Sequence, residues 1–263
     1  MPIRMPVEIR PLNQEEFGQV AFDVMESVFR IHQELERFFD EKVYQAALAA
    51  VIAGARIELP IEVRHEDFCK AYFLDLVVSD SAIFELKTAD RFHPSHRAQL
   101  LNYLLLTGCQ HGKLINLRPE RVEHEFVNST LTHGDRIGFE VDARQWQDLG
   151  PLDRPFRPWF EAALRDWGTG LDRQLYENCA VHFFGGMERA NGSVDVQLDG
   201  RVLSQQPVRL ALPGVALEVT TLDPQNLSGF AEHAGRFLRH SSLEAIYWVN
   251  VHRNQVAFRT LRK

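Results

Sequence analysis

Two short apolar segments, YFLDLVV and AIFELKT, contain charged residues within otherwise hydrophobic runs. Asp75 lies in the first segment, and Glu85 and Lys87 lie in the second. Short runs rich in β-branched and aromatic residues, bounded by polar residues, are typical of strands. Burying a charge in such a strand is costly unless the charge is paired or bound to a metal ion. The segments therefore predict two neighbouring strands that share a polar centre.

The hydrophobic period changes along the first half of the chain. Apolar residues recur at helical spacing over residues 15–39, and a second helix is predicted over residues 41–53, before Gly54. Strand-like segments follow, and then a helix over residues 96–106 that ends before Gly108. The order helix, helix, strands, helix, strand predicts an α/β fold. The predicted strands lie in IELPIEVRH, KAYFLDLVV, AIFELKT and GKLINL.

The composition indicates a folded protein with an ordinary core, because 45% of the 263 residues are hydrophobic and 25% are charged. The longest apolar stretches, at 46–53 and 100–106, are far shorter than the roughly 20 residues that span a bilayer. We therefore expect no membrane segment. The N-terminal residues lack the apolar run of a secretory signal, which favours a cytoplasmic location. Three cysteines without a CxxC pair favour neither a disulfide framework nor a zinc site.

The regular pattern loosens between about residues 131 and 160. Pro151, Pro155 and Pro158 interrupt any regular element there, which indicates a domain boundary. The prediction is a first domain over residues 1–135, a linker over residues 136–157 and a second domain over residues 158–263.

The second half of the chain repeats the pattern of the first. LDRQLYENCAVHFFGG (171–186) aligns without a gap on FDEKVYQAALAAVIAG (39–54), which places Tyr176 on Tyr44. VALEVTTLD (215–223) aligns on AIFELKTAD (82–90), and IYWVN falls on the strand that ends in KLIN. The spacings between these three anchors agree to within one residue. The pattern predicts an internal duplication.

Asp75, Glu85 and Lys87 are the candidate catalytic residues. Glu85 and Lys87 lie two residues apart, which places both side chains on one face of a strand. Two carboxylates that converge on one point suit Mg²⁺ or Mn²⁺, and a nearby lysine can orient or deprotonate a metal-bound water. The chemistry that fits is hydrolysis of a phosphodiester. Taken singly, the same residues also fit a strand-end aspartate and a solvent-exposed ion pair of little energetic weight.

Three further residues extend this candidate site. Glu41, at the start of the second helix, can add a third carboxylate. Gln99 and Tyr103 are four residues apart on the next helix, so they face the same way and can position the metal shell or a phosphate. A tyrosine between leucines equally fits a helix core. The nearby His93 and His96 are interpreted as solvated loop histidines.

The ordered set of Glu41, Asp75, Glu85-x-Lys87 and Gln99-x-x-x-Tyr103 resembles the PD-(D/E)XK nuclease superfamily. The segments EKVYQAALA, DLVV, ELK, AQLLNYLLLTG and GKLIN more closely resemble the bacterial GxxExxY proteins. The resemblance covers about residues 15–130. It implies a restriction-endonuclease-like core, in which helices flank a central mixed sheet.

The resemblance also implies a role for each matching residue. Asp75 and Glu85 would be metal ligands, Lys87 the catalytic lysine and Glu41 the acidic helix residue. Gln99 and Tyr103 would be the helical QxxxY pair of RecB-like branches. One departure from the family pattern is visible, since Phe38 stands where the GxxExxY signature has glycine.

The second half lacks most of this chemistry. Glu218 aligns with Glu85, whereas Thr220 replaces Lys87, and either Val208 or Arg209 replaces Asp75. Arg173 stands in place of Glu41. A site with one carboxylate and no lysine is not expected to hold a catalytic metal. The second domain is therefore predicted to be a degenerate nuclease-like domain that forms an internal pseudo-dimer with the first. Its basic residues Arg236, Arg239, Arg253, Arg259, Arg262 and Lys263 fit either a grip on the substrate backbone or a solvated face.

The leading hypothesis is a nuclease that depends on Mg²⁺ or Mn²⁺ and has one active site per chain. Its expected substrate is a nucleic acid, with DNA favoured over RNA. The net charge of −7 neither favours nor excludes this, because phosphate contacts depend on local Lys and Arg. The alternative is a catalytically inactive nuclease fold that serves as a nucleic-acid-binding or assembly module. Both a monomer with an internal pseudo-dimer and a homodimer remain open.

Overall fold

The computed structural model describes residues 2–150 and 154–263. The chain divides into two compact units, Met1–His133 and Gly134–Lys263. Each unit contains one six-stranded mixed sheet with helices. The predicted α/β fold is confirmed. Among the described residues, no helix is both long enough and apolar enough to cross a membrane.

The first unit follows the predicted order of elements. Helix α1 begins at the side chain of Asn13, which accepts hydrogen bonds from the backbone N–H groups of Glu15 and Glu16. It ends at Leu35 rather than at the predicted Phe39, because Glu36 adopts a left-handed φ of 56°. The elements are β1 (Ile3–Arg4), α1 (Gln14–Leu35), α2 (Glu41–Val51), β2 (Ala55–His65), β3 (Phe68–Val78), β4 (Ala82–Lys87), α3 (Pro94–Thr107), β5 (His111–Asn116) and β6 (Glu123–Asn128).

The first sheet has the strand order β1-β2-β3-β4-β5-β6. Strands β4 and β5 are parallel and are connected by α3, whereas the other neighbours are antiparallel. On one face, Leu76, Phe84 and Leu86 of the sheet pack with Val24 of α1 and Leu48 of α2 in a buried cluster. The side chains that alternate with these, including those of Glu85 and Lys87, therefore point to the opposite face.

Helix α3 packs on that opposite face at Gly112 of β5. A Cβ atom at Gly112 would lie 3.1 Å from Leu100 Cδ1 and 3.1 Å from Leu104 Cδ2. The absence of a side chain at Gly112 thus allows the helix to approach the sheet closely. The register pairs Ile83 with Gly112 and Glu85 with Leu114, so α3 and the Glu85 carboxyl group share one face of the sheet.

After a short helix α4 (His133–Ile137), the second unit continues with strand β7 (Glu140–Gln145), which lies in the segment predicted to be a linker. Strand β7 pairs in parallel with β12 (Gln255–Arg262). Residues 136–157 also contain the first residues of α5 (Phe156–Trp167). The linker prediction is corrected here, because hydrogen bonds to β12 make this segment part of the second sheet. Pro151 lies outside the described residues. The elements are β7 (Glu140–Gln145), α5 (Phe156–Trp167), α6 (Arg173–Phe183), α7 (Met187–Ala190), β8 (Asn191–Leu198), β9 (Arg201–Leu212), β10 (Val215–Thr220), α8 (Leu227–Arg239), β11 (Ala245–His252) and β12 (Gln255–Arg262), preceded by a short helix α4 (His133–Ile137).

The second sheet has the strand order β7-β12-β11-β10-β9-β8. Strands β8 to β12 form successive antiparallel pairs except for β10 and β11, which are parallel and are connected by α8. Strands β2 to β6 have the same order and the same directions. Helices α1 and α2 precede the first set, and α5, α6 and the short α7 precede the second. The five-strand topology therefore occurs twice in the chain.

Equivalent hydrogen bonds recur in the two units. Tyr44 Oη donates to Glu36 O at 2.5 Å, and Tyr176 Oη donates to Gly168 O at 2.9 Å, in both cases eight residues back. The Asn116 side chain bonds both backbone groups of Ala89, with Nδ2 2.7 Å from the carbonyl oxygen. Asn250 does the same with Leu222, at 3.0 Å.

Candidate active site

Asp75 lies where strand β3 separates from β4. The two strands pair over Leu76–Val78 of β3, immediately after Asp75. Asp75 Oδ2 accepts a hydrogen bond from the backbone N–H of Leu86 at 2.8 Å. This bond holds the Asp75 carboxyl group beside Glu85 and Lys87 at the end of β4.

The Lys87 ammonium group is the centre of the cluster. Its Nζ lies 2.6 Å from Glu85 Oε1, 3.5 Å from Asp75 Oδ2 and 3.7 Å from Glu41 Oε2. It also donates a hydrogen bond to the backbone carbonyl of Leu86 at 2.7 Å. Glu41 is the first residue of α2, so elements distant in sequence bring the three carboxylates together. The Lys87 ammonium group therefore contacts all three predicted carboxylates.

Glu85 is the most constrained group of the site. Its side chain is fully buried, and neither carboxyl oxygen has a hydrogen bond of suitable geometry among the described residues, although Oε1 touches the lysine ammonium. Burial, followed by repulsion from Asp75, raises the Glu85 pKa to about 9. A buried carboxyl oxygen without a partner is costly. This arrangement is typical of a group that receives a ligand.

The same environment shifts the pKa of the neighbouring groups. Burial raises the pKa of Asp75, and burial together with the Asp75 charge raises that of Glu41. Burial opposes protonation of Lys87, but the charges of Glu85 and Asp75 outweigh this, so the Lys87 pKa lies above its ordinary value. The site thus holds excess negative charge around one cation.

The donor set fits a hard divalent cation. Mg²⁺ usually binds through one or two carboxylates and keeps several waters, and Asp75 and Glu85 supply two carboxylates with a free buried oxygen between them. In the described part of the chain, no three His, Cys, Asp or Glu side chains stand close enough together to form a complete metal cage.

Gln99 and Tyr103 lie on α3 beside this cluster. Gln99 Nε2 donates to Tyr103 Oη at 3.1 Å, as the predicted four-residue spacing requires. Burial raises the Tyr103 pKa to about 12, and the Glu85 and Asp75 charges add to the shift. Among the described residues, this pair forms no hydrogen bond to Asp75, Glu85 or Lys87, so it borders the cluster rather than joining it.

His93, His96 and Phe38 contact groups outside the Lys87 cluster. His93 caps the N-terminus of α3 by accepting from the Ser95 backbone N–H, and His96 Nδ1 accepts from the backbone N–H of His93. Phe38 is 75% exposed, and the Arg37 guanidinium lies 5.5 Å from its ring centroid.

Gln45 is a member of the site that sequence reasoning missed. It is buried, and its Nε2 donates to Asp75 Oδ1 at 3.3 Å. The sequence carried one usable signal, since Gln45 is four residues after Glu41 and therefore shares its helix face. Gln45 and the Leu86 N–H thus each hold one of the two carboxyl oxygens of Asp75.

The corresponding position in the second unit has different chemistry. Ala216 pairs with Leu210, and continuing this register places Val208 opposite Glu218, as Asp75 stands opposite Glu85. Val208 rather than Arg209 thus replaces Asp75. Arg173 Nη1 donates to Val219 O at 3.2 Å, the same backbone carbonyl position that Lys87 contacts in the first unit.

Comparison with known proteins identifies the first unit. Residues 18–128 match the family model of the PD-(D/E)XK nuclease superfamily. No curated protein matches the chain. One solved structure, described as the crystal structure of SSO0001, is 20% identical, with a TM-score of 0.29, and the match covers 46% of this chain and 61% of that one. The chain thus spans about three fifths of the length of that structure. The match to the PD-(D/E)XK nuclease superfamily lies within the first unit, which contains Glu41, Asp75, Glu85 and Lys87.

Proposed function

We propose that the protein is a metal-dependent nuclease that hydrolyses phosphodiester bonds in DNA, with one active centre per chain. The observation that carries the proposal is Glu85, whose fully buried carboxyl group pairs with Lys87 through Oε1, while Oε2 has no hydrogen-bond partner among the described residues. The match of residues 18–128 to a nuclease superfamily supports the reaction class.

Asp75 and Glu85 are the residues that would hold Mg²⁺ or Mn²⁺, with Glu41 as a third carboxylate. The metal supplies positive charge against the phosphate oxygens and lowers the pKa of a bound water. Gln45 and the Leu86 N–H fix the direction of the Asp75 carboxylate. This bracing reduces the reorganisation that cation binding requires.

Lys87 would orient the attacking water and offset charge in the transition state. Contacts to Glu85 and to the Leu86 carbonyl hold its ammonium group at a fixed position beside the carboxylates. A preorganised donor of this kind is effective in a partly buried site. Gln99 and Tyr103 border the cluster on α3, where they would contact a phosphate of the substrate.

We further infer that the second unit is a degenerate copy of the first. The shared five-strand topology and the equivalent tyrosine and asparagine hydrogen bonds support this inference. The register pairs Lys87 with Asn116 and Thr220 with Asn250, at equivalent points of the two sheets. With valine and threonine in place of aspartate and lysine, the second copy would contribute no active centre.

A second candidate is an inactive nuclease fold that binds nucleic acid or supports an assembly. Two observations favour it: Phe38 replaces the signature glycine and is largely exposed, and the second unit has lost its catalytic groups. This candidate predicts retention of DNA without turnover.

Cleavage assays on supercoiled, linear and single-stranded DNA, with an RNA of equal sequence, test the proposal. With Mg²⁺ or Mn²⁺, we expect cleavage that falls about 100-fold or more in Lys87→Ala, because a preorganised charge is lost. Lys42→Ala is the matched control, since Lys42 is exposed on α2 next to the site. Equal activity in Lys87→Ala and the wild type would refute the assignment, and binding without cleavage by any variant would favour the second candidate.

A further inference from the structure

Glu58 has an unusual backbone conformation inside a strand. Its φ is 52°, in the left-handed region, although it lies in the middle of β2. Residues other than glycine rarely adopt this conformation, and β2 gains no turn from it. The other non-glycine residues with positive φ in the described part of the chain follow a helix or lie in turns: Glu36, Glu66, Ser79, Asp80 and Asp199.

The strand register places Glu58 opposite Asp75. Ile57 pairs with Leu76 and Leu59 pairs with Leu74, so the position between them faces Asp75 across the two strands. Opposed residues on antiparallel strands have Cα atoms about 5 Å apart. The regular pairing is interrupted only at Glu58 and Asp75 within this stretch. The distortion therefore coincides with a candidate metal ligand.

The charge of Glu58 acts on the same cluster. Burial is the main cause of the raised pKa of Asp75 and of Glu41, and the negative charge of Glu58 adds to both shifts. Glu58 itself is exposed and forms no ion pair within the described residues.

We propose that Glu58 is a further carboxylate ligand of the cation site, which joins Asp75 and Glu85 when a divalent ion binds. This inference rests on the proposed function. Glu85 Oε2, which is buried and has no hydrogen-bond partner among the described residues, points independently to a ligand at this position. Asparagine or glycine would adopt the backbone conformation at lower cost, so the glutamate is explained by its side chain.

The second unit offers a comparison within the same chain. Gly192 pairs with Val208, just as Glu58 faces Asp75. The carboxylate at this position is therefore missing from the unit that also lacks the equivalents of Asp75 and Lys87. If Glu58 served only the shape of β2, its absence from the second unit would have no connection with the absence of Asp75 and Lys87 there.

Titration calorimetry of the full chain with Mn²⁺ tests the proposal. We expect Glu58→Gln to weaken Mn²⁺ binding about tenfold or more, as substitutions around metal ligands do. Glu62→Gln is the matched control, because Glu62 lies on the same strand and pairs with Arg64 at the surface. It should bind Mn²⁺ as the wild type does.

A third variant separates this inference from the proposed function. Asp75→Asn should abolish Mn²⁺ binding if the site holds a metal at all. Loss in Asp75→Asn with unchanged affinity in Glu58→Gln would overturn the role of Glu58 and leave the proposed function intact. If the wild-type protein binds no Mn²⁺, both the role of Glu58 and the proposed metal-dependent function are overturned.

Thermal unfolding without metal provides a second readout. Glu58→Asn should have an equal or higher Tm than the wild type, since asparagine tolerates left-handed geometry, while its Mn²⁺ affinity falls. A purely structural glutamate would give the opposite result, with a lower Tm and unchanged Mn²⁺ affinity.

Discussion

At the scale of single residues, the site concentrates carboxylates where water is largely excluded. Glu85 is fully buried, and Asp75 is 6% exposed. A protein core avoids such groups unless they are paired or bind a ligand. Lys87 compensates for one negative charge and no more. The remaining carboxyl charge must be neutralised by a proton, in line with the raised pKa of Glu85, or by a second cation.

The Glu85→Gln variant tests this view through the pH dependence of stability. The Glu85 pKa is about 9 in the folded protein against a reference value of 4.5, so between these values the folded state binds a proton that the unfolded state has released. The free energy of unfolding should therefore fall as pH rises through this window, by up to about 1.4 kcal/mol per pH unit. The variant should show a flatter profile.

Urea unfolding at pH 5, 7 and 8.5 in the presence of a chelator measures the effect. Glu26→Gln serves as a control, because Glu26 is exposed on α1. Parallel profiles for the wild type and Glu85→Gln would show that the buried carboxyl group does not titrate as described.

At the scale of elements, α2 brings two side chains to the end of the sheet from one helix face. Glu41 and Gln45 are one turn apart, and both contact the cluster formed by β3 and β4. The helix is anchored by Tyr44, whose hydroxyl reaches the Glu36 carbonyl at the end of α1. The position of the site thus depends on how α2 packs, as well as on the strands.

The Gln45→Leu variant tests the contribution of α2. Leucine fills a similar volume but leaves Asp75 Oδ1 without its donor. We expect metal affinity and metal-dependent cleavage to fall about tenfold, with Tm lowered by a few degrees, as for losses of groups that orient metal ligands. Gln33→Leu makes the same substitution at an exposed position of α1 and should change neither quantity. Normal Mn²⁺ binding by Gln45→Leu would exclude the orienting role.

At the scale of the whole molecule, two units that share a five-strand topology contain different side chains at equivalent positions. The first holds Asp75, Glu85 and Lys87, and the equivalent places of the second hold Val208, Glu218 and Thr220. Arg173 supplies the positive charge near Val219 O and pairs with Glu177 at 2.8 Å. The ion pair between Arg173 and Glu177 thus lies where the first unit has carboxyl groups clustered around Lys87.

One active centre per chain predicts nicking of supercoiled DNA. Open circular product should accumulate before linear product, because a single centre cuts one strand in each encounter. A gel time course at several protein concentrations, combined with sedimentation, measures this. Direct conversion to linear DNA with a steep dependence on concentration would instead indicate two associated chains.

The sequence predicted those helices and strands that depend on the local residue pattern. The strands around Asp75 and Glu85 show clear β-branched and aromatic runs, and Gly108 ended α3 as expected, with a φ of 74°. The linker prediction failed because β7 gains its structure only from pairing with β12, more than 100 residues away. Prolines and a weak hydrophobic pattern carry no information about such a partner.

The sequence by itself determined the order of helices and strands, the candidate residues Glu41, Asp75, Glu85 and Lys87, and the alignment of the two halves. These features follow from residue spacing and side-chain chemistry, which are local. Only the tertiary structure decided that Gln45 braces Asp75, that Glu58 faces it from β2, and that Glu85 is fully buried beside Lys87. The reason is that strand register and burial arise from contacts between distant segments, and these contacts set the local electrostatics of the site.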